Sequence, residues 1–162
     1  MGPTGGSHSQ RALEMVEDGY FIDTNIIIYA RGREHPYRNA CSNLILAIGN
    51  GSFERKFGVP VVDSEVFQKI IYRYALIGKW ETAISVTKDL YNLGWEILSV
   101  GSGEVVKMIE LAEIYGKTGV SPRDLVHGAV MINNGIRNII TADTHFDQIK
   151  EIKRIDPFTL SI

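Results

Sequence analysis

Apolar residues occur along the chain in two kinds of run, which predict strands and helices. Short runs rich in β-branched or aromatic residues are typical of strands, and they cover residues 19–23, 95–100 and 138–141. Residues 59–62 suit either a strand or the lead-in to a helix, and residues 153–156 suit a final edge strand.

Longer segments repeat apolar residues at every third or fourth position, which is the period of an amphipathic helix. They cover residues 26–30, 37–50, 63–77, 80–93, 103–115 and 121–134, and residues 143–149 suit a short helix or turn. The start at Ser121 is the clearest, because an N-cap serine precedes Pro122 in the first turn and the acid Asp124 at the third position. The helix over residues 103–115 is predicted to bury Val105, Val106, Ile109, Ala112 and Ile114.

The alternation of strands and helices predicts an α/β fold with a central, mostly parallel sheet of four to five strands. The chain has 162 residues, and we assign residues 19–162 to a single domain. Residues 1–18, which begin Gly- and Ser-rich, are predicted to be a flexible N-terminal tail and partly a remnant of expression. No apolar run reaches the ~18 residues of a membrane span, so we expect a soluble protein.

Charge and cysteine content narrow the expected class further. The net charge is −2, whereas a protein that binds nucleic acid mainly through its phosphates is expected to be basic. A local basic patch or a bound cation would therefore have to contact such a ligand. Cys41 is the only cysteine, which fits a reducing compartment, and we expect a cytoplasmic protein with Cys41 in its core.

Four carboxylates fall where a parallel sheet would bring them together. Asp23 ends the first strand, Asp143 follows the strand at 138–141, and Glu65 and Asp124 begin helices. Strand ends and the starts of returning helices share one edge of such a sheet. Each acid alone is explained as a complement to a helix dipole, but four together would repel one another unless a cation lay between them. Oxygen ligands suit Mg²⁺ or Mn²⁺, which activate water for attack on phosphodiesters.

The chain resembles the PIN-domain family in three runs that occur in the family's order. These are FIDTNIIIYA (21–30), VVDSEVFQKIIYRYA (61–75) and SPRDLVHGAVMINNGIRNIITADTHFDQI (121–149). The resemblance covers about residues 20–155 and implies a PIN-like α/β/α sandwich. It also implies an acidic Mg²⁺ or Mn²⁺ site that hydrolyses RNA to 5′-phosphate and 3′-hydroxyl ends. Many members are toxins of VapBC-type toxin–antitoxin pairs, so an antitoxin is a possible partner.

The resemblance also assigns roles to individual residues. Four positions match the catalytic and metal-binding acids of the family: Asp23, Glu65, Asp124 and Asp143. A further acid that some members use falls at Asp147, and small polar residues that orient acids or waters fall at Asn25 and Thr141. One ion bound by Asp23, Asp124 and Asp143, with Glu65 sharing it or positioning water, is the expected mechanism.

Several other residues are weighed against ordinary structural roles. Arg31, Arg33 and Arg123 are weak candidates for contacts to RNA phosphates. His127, three residues after Asp124, is predicted to be a partly buried structural histidine, and His145 a surface loop residue. A homodimer is expected, formed through the apolar helix face around Ile70 and Tyr74.

Three alternatives to a toxin ribonuclease are considered. A phosphatase of the haloacid-dehalogenase type needs a second Asp two residues after Asp23, where this chain has Asn25. A PIN nuclease that processes RNA without being a toxin would share the same site. A non-catalytic PIN-like protein for RNA binding or assembly is disfavoured because all four acids are present.

Overall fold

Five parallel strands form the central sheet of the computed structural model, which describes residues 19–53 and 57–160. The strands are β1 (Gly19–Ile22), β2 (Val59–Asp63), β3 (Glu96–Leu98), β4 (Asn138–Ile140) and β5 (Lys153–Ile155). Their order in the sheet is β3-β2-β1-β4-β5, so the first strand is central. Residues 59–62, for which the sequence left a strand or a helix lead-in open, lie in strand β2, whereas the predicted tail, residues 1–18, lies outside the described residues.

In the described part of the chain, six α-helices flank this sheet, as predicted for an α/β sandwich. They are α1 (Thr24–Arg31), α2 (Arg38–Gly49), α3 (Ser64–Ala75), α4 (Trp80–Asn92), α5 (Ser102–Tyr115) and α6 (Pro122–Asn133), with short 3₁₀ helices at Thr144–Gln148 and Pro157–Thr159. Successive helices pack in pairs, α1 on α2, α3 on α4 and α5 on α6. Among residues 19–53 and 57–160, no helix has the length and apolar character that a membrane crossing requires.

The core is built around β1, whose four residues are all buried. A strand that pairs with neighbours on both sides and is covered on both faces reads as a continuous apolar run. Phe21 lies opposite Val61 of β2 and Ile139 of β4, so the three strands end at nearly the same level. Beyond that level, the backbone N–H of Asp23 donates to the carbonyl of Ile140 at 3.1 Å. The sheet thus places the residues that follow β1, β2 and β4 side by side.

The predicted buried face of α5 is wrong. Val105, Val106, Ile109 and Ile114 are 44–64% exposed, and the helix buries Leu111 and Tyr115 instead. The sequence of α5 is apolar on every side, so the spacing of apolar residues does not select one face. The choice is made by the neighbouring helix α6, a long-range contact that a local pattern does not contain.

The helix face predicted to form a dimer is also placed differently. Ile70 is fully buried and Tyr74 packs partly buried against the core, so Ile70 is not available to a second copy. Exposed apolar side chains lie on the neighbouring surface of the α3–α4 hairpin, and we call the set Leu76, Ile77, Trp80 and Ile84 the α3–α4 apolar surface. Cys41 is buried in the core as predicted, and burial raises the pKa of its thiol to about 12.

The cap at the N-terminus of α6 is expected to contribute to the stability of the fold. The hydroxyl oxygen of Ser121 accepts a hydrogen bond from the backbone N–H of Asp124 at 3.2 Å. Ser121→Ala removes this cap and is expected to lower the free energy of unfolding by about 1 kcal/mol. Denaturation in urea measures the change. Ser64→Ala, at the exposed first position of α3, is the control, and an equal loss in both variants would contradict the capping role.

Candidate metal centre

Four acids at the carboxyl edge of the sheet owe their placement to strand ends and helix starts. Asp23 follows β1 and caps α1, Asp63 ends β2 and caps α3, and Asp143 follows β4 and caps the 3₁₀ helix. Asp124 lies in the first turn of α6. Each cap accepts a backbone N–H, which fixes its side chain at the edge where the helices begin.

Asp23 is held by a small network of hydrogen bonds although it is only 1% exposed. The hydroxyl of Thr141 donates to Asp23 Oδ2 at 2.7 Å, and the side-chain amide of Asn25 donates to the same oxygen at 3.2 Å. The backbone N–H of Thr24 donates to Asp23 Oδ1 at 2.7 Å. Thr141 also accepts the backbone N–H of Asp143 at 3.0 Å, so one hydroxyl links two of the acids. The predicted supporting residues Asn25 and Thr141 therefore both contact Asp23.

Asp124 lies 3% exposed in the same cluster. Burial raises the pKa of its carboxyl to about 6, and the negative charge of Asp23 adds to the rise. The positive charge of Lys69, a half-buried residue of α3, opposes it. The raised pKa of Asp124 indicates that two carboxylates lie close together in a buried site and that nearby positive charge does not fully compensate them.

Asp143 lies closer to solvent, with a side chain that is 29% exposed. Burial acts to raise its pKa, but the hydrogen bonds with the His145 backbone, the Asp124 side chain and the His145 ring, together with the charge of His145, outweigh burial, so the pKa is lowered overall. Both His145 bonds reach Asp143 Oδ1 at 2.9 Å. His145 is exposed, as predicted for a surface residue.

His127 is fully buried, which corrects the prediction of a partly buried side chain. Its Nδ1 lies 2.6 Å from Asp63 Oδ2, and its Nε2 lies 3.9 Å from Asp23 Oδ1. Burial acts to lower the pKa of the imidazole, but the hydrogen bond and charge of Asp63, with the charges of Asp23 and Asp124, raise it overall. The ring thus bridges the ends of β1 and β2 from a position on α6.

Asp23, Asp124 and His127 together fit a divalent cation. Each offers one ligand atom, and these atoms all lie within 4.8 Å of one another. Asp124 Oδ1 and His127 Nε2 are buried, and neither has a hydrogen-bond partner among the described residues. Buried polar atoms are nearly always satisfied, so two unsatisfied atoms close to the Asp23 carboxylate point to a ligand between the three groups. Carboxylate and imidazole are both common metal ligands.

Three of the predicted acids lie outside this group: Glu65, Asp143 and Asp147. Glu65 is half-buried in the first turn of α3 and makes no hydrogen bond or ion pair with another described residue. Asp147 is exposed, and its Oδ1 accepts from Arg154 Nε at 3.0 Å. Roles for Glu65, Asp143 and Asp147 at the metal therefore stay predictions.

The three candidate arginines are placed in different surroundings. Arg31 forms an ion pair with Asp89 of α4, and Arg33 is exposed. The guanidinium of Arg123 lies 4.5 Å from the ring centre of Tyr72. Arg123 directly precedes Asp124 in the sequence, so of the three arginines it alone is next to an acid of the cluster.

Sequence reasoning missed Asp63, Lys69 and the contact of His127. Asp63 ends β2 just as Asp23 ends β1, a signal that was hidden because residues 59–62 also suited a helix lead-in. The spacing of Asp124 and His127 places them on one helix face, but it does not show which strand end meets them. Lys69 carries no such signal, since a lysine on an amphipathic helix is normally solvated.

Comparisons with known proteins agree with this geometry. Residues 20–152 match the profile of the PIN domain family. A curated relative, ribonuclease VapC13 of Mycobacterium tuberculosis, is 29% identical over 134 residues, which cover 83% of this chain and 97% of the relative.

Solved structures show the same fold at low sequence identity. VapC20 of Mycobacterium tuberculosis, described as a toxin that cleaves the sarcin–ricin loop, has a TM-score of 0.66 at 14% identity and covers 81% of this chain and 95% of its own. VapBC2 of Rickettsia felis, solved bound to a DNA fragment from its promoter, has a TM-score of 0.64 at 18% identity and covers 85% and 98%. These likenesses establish the architecture.

The raised pKa of Asp124 predicts a gain in stability when its charge is removed. A carboxyl whose pKa rises to about 6 on folding does not destabilise the folded protein at a pH where it is protonated in both the folded and the unfolded state. Its cost to the free energy of folding grows as the pH rises towards about 6. Asp124→Asn is therefore expected to stabilise the protein in EDTA at about pH 7 by roughly 2 kcal/mol and to have little effect near about pH 4. Urea denaturation at both pH values measures this. Glu113→Gln, at an exposed acid of α5 that makes no ion pair with another described residue, is the control, and a destabilised Asp124→Asn at neutral pH would contradict the assignment.

Proposed function

Because the chain belongs to the PIN-domain family, we propose that it is a divalent-metal-dependent endoribonuclease that hydrolyses RNA phosphodiester bonds. The observation that carries the proposal is the buried group of Asp23, Asp124 and His127, in which two polar atoms have no partner among the described residues. Related ribonucleases that match most of the chain support the choice of RNA as substrate.

Mg²⁺ or Mn²⁺ is the cofactor that we assign to the site. A bound divalent ion lowers the pKa of a water and stabilises negative charge that develops on the phosphate. Asp23 and Asp124 would hold the ion, with Asp143 as a further carboxylate ligand. Thr141 and Asn25 keep the Asp23 carboxylate in one orientation through the hydrogen bonds to Oδ2. Preorganised ligands of this kind avoid the cost of rearrangement during the reaction.

Glu65 and Asp147 have outer roles in the same proposal. Glu65 is on the turn of α3 that follows Asp63, so it positions water or shares the ion from the helix side. Asp147 serves as a ligand for a second ion only after its bond to Arg154 is given up. The products carry 5′-phosphate and 3′-hydroxyl ends.

RNA reaches the site along a rim of scattered cations, since the chain as a whole has a net charge of −2. Arg123 is held over Tyr72 beside the acidic cluster and contacts phosphate there. Arg33 is exposed and makes no ion pair with another described residue, whereas Arg31 must exchange Asp89 for a phosphate. The substrate footprint is therefore small, and the metal supplies much of the attraction.

The biological role that fits best is the toxin of a VapBC-type pair, acting in the cytoplasm with an antitoxin as protein partner. The VapC names of the relatives and the fold of solved VapBC complexes support this role. An RNA-processing nuclease that is not a toxin shares the site and differs by having no neighbouring antitoxin gene. A non-catalytic RNA-binding or assembly protein would differ from both nucleases by not cleaving RNA.

An RNA cleavage assay tests the activity. The wild-type protein is expected to cut RNA with Mn²⁺ or Mg²⁺ and to stop in EDTA. Asp23→Asn is expected to lower the rate by more than about 100-fold, because metal binding contributes several kcal/mol to transition-state stabilisation. Gel analysis of end-labelled RNA measures the rate and identifies the end groups.

Glu110→Gln is the matched control, because Glu110 is an exposed acid on α5 that forms an ion pair with Lys107, one turn earlier on the same helix. It should cleave at the wild-type rate. Equal cleavage by wild type and Asp23→Asn, or cleavage that persists in EDTA, would show that this site is not the nuclease site.

We also propose a homodimer formed through the α3–α4 apolar surface, since large exposed apolar patches mark contact sites. A variant that combines Leu76→Lys and Ile77→Lys is expected to be monomeric in light scattering at concentrations where the wild type is dimeric. Val105→Lys with Val106→Lys, on the exposed face of α5, is the control. If the α5 variant dissociates the dimer and the α3–α4 variant does not, the interface is on α5.

A further inference from the structure

We propose that His127 is itself a ligand of the metal, binding through Nε2 beside Asp23 and Asp124, and that Asp63 orients its ring. The inference rests on the proposed function, in which this site holds a divalent ion. It adds a nitrogen ligand and a positioning residue to a site for which the sequence suggested only acids.

The Nε2 atom of His127 lies among groups that leave room for a shared ligand. This atom is buried and has no hydrogen-bond partner among the described residues. The distance to Asp23 Oδ1 is 3.9 Å, which is too long for a hydrogen bond. It is nevertheless the separation expected of two atoms that share a third one between them, and an oxygen of Asp124 lies within 4.8 Å of both.

Asp63 determines which nitrogen of the His127 ring carries the proton. Its Oδ1 accepts the backbone N–H of Val66 at 3.1 Å, which fixes the carboxylate at the start of α3. Its Oδ2 lies 2.6 Å from Nδ1 of His127 and accepts a hydrogen from it. In a neutral imidazole with hydrogen on Nδ1, the lone pair is on Nε2 and points to Asp23 and Asp124. Metal-binding histidines are commonly held in this way by a carboxylate on the other nitrogen.

Packing against β1 removes the remaining freedom of the ring. The ring of Phe21 lies 5.0 Å from that of His127, centre to centre, at an interplanar angle of 43°. The buried Nε2 has no hydrogen-bond partner among the described residues, and a metal ion between it and the two carboxylates would supply one.

The mixed ligand set predicts a metal preference. Mg²⁺ favours oxygen ligands and retains water, whereas imidazole is a good ligand for transition metals. Replacing His127 is therefore expected to weaken Mn²⁺ binding by about tenfold or more and Mg²⁺ binding by less.

Electron spin echo spectroscopy of bound Mn²⁺ tests the inference directly, because an imidazole nitrogen bound to Mn²⁺ gives a characteristic hyperfine coupling. The chain has 4 histidines, so a tag-free variant with His8→Asn, His35→Asn and His145→Asn retains only His127. The nitrogen coupling is expected in the wild type and in this triple variant. It is expected to disappear when His127→Asn is made in either background.

Two further variants separate a ligand from a structural histidine. In His127→Asn the amide replaces Nδ1 and keeps a hydrogen-bond donor for Asp63, so a structural role predicts little change in Mn²⁺ affinity. In Asp63→Asn the amide can donate to Nδ1, which moves the ring hydrogen to Nε2 and is expected to weaken Mn²⁺ binding by about 10–100-fold. Unfolding temperatures of the metal-free proteins identify a variant that fails to fold, and the spectra of the wild type and triple variant decide the question in that case.

The outcomes distinguish this inference from the proposed function. Mn²⁺ that binds in an Asp23-dependent manner without nitrogen coupling would remove His127 from the ligand set and leave the nuclease site intact. Binding of Mn²⁺ that is unchanged in Asp23→Asn would overturn the site and the inference together.

Discussion

The burial of two carboxylates beside one another is the constraint around which this edge of the molecule is organised. Asp23 and Asp124 are at most 3% exposed, and the cost appears as the raised pKa of Asp124. Charges removed from water persist only where hydrogen bonds or opposite charges compensate them. Thr141, Asn25 and a backbone N–H compensate Asp23, whereas Asp124 Oδ1 has no such partner among the described residues. The asymmetry leaves one face of the cluster to an external cation.

The fold satisfies this constraint by giving the acids two tasks. Asp23, Asp63 and Asp143 each end or follow a strand and each cap the helix that comes next. In a parallel sheet these positions meet at one edge, so the geometry that starts the helices also gathers the charges. The helix N-termini bring partial positive charge to the same place, which lowers the cost of holding several carboxylates together. A single arrangement thus serves both folding and the site.

The same double role explains what could be predicted from the sequence. The strand containing Phe21, the cap at Ser121 and the placement of Asp23 and Asp124 all depend on neighbours in the chain, and the structure has them as predicted. The buried face of α5 and the contact of His127 with Asp63 depend on which element lies across the core, so local spacing did not determine them. Asp63 was overlooked because residues 59–62 also suited the lead-in to a helix, so the sequence did not show that a strand ends at Asp63. A functional site differs from ordinary helix starts only because several capping carboxylates lie close together in space.

The distribution of hydrogen-bond donors around the cluster also explains why a cation rather than a further side chain completes it. Lys69 is near enough to lower the pKa of Asp124, yet it makes no ion pair with a described residue, so its charge acts from a distance. The ring of His127 already donates through Nδ1 to Asp63, and its other nitrogen is 3.9 Å from Asp23. Thr141 and Asn25 both act on Oδ2 of Asp23, on the side of Asp143. Asp124 Oδ1 and His127 Nε2 are therefore left without a hydrogen-bond partner among the described residues, and a compact divalent ion would accept a lone pair from both at once.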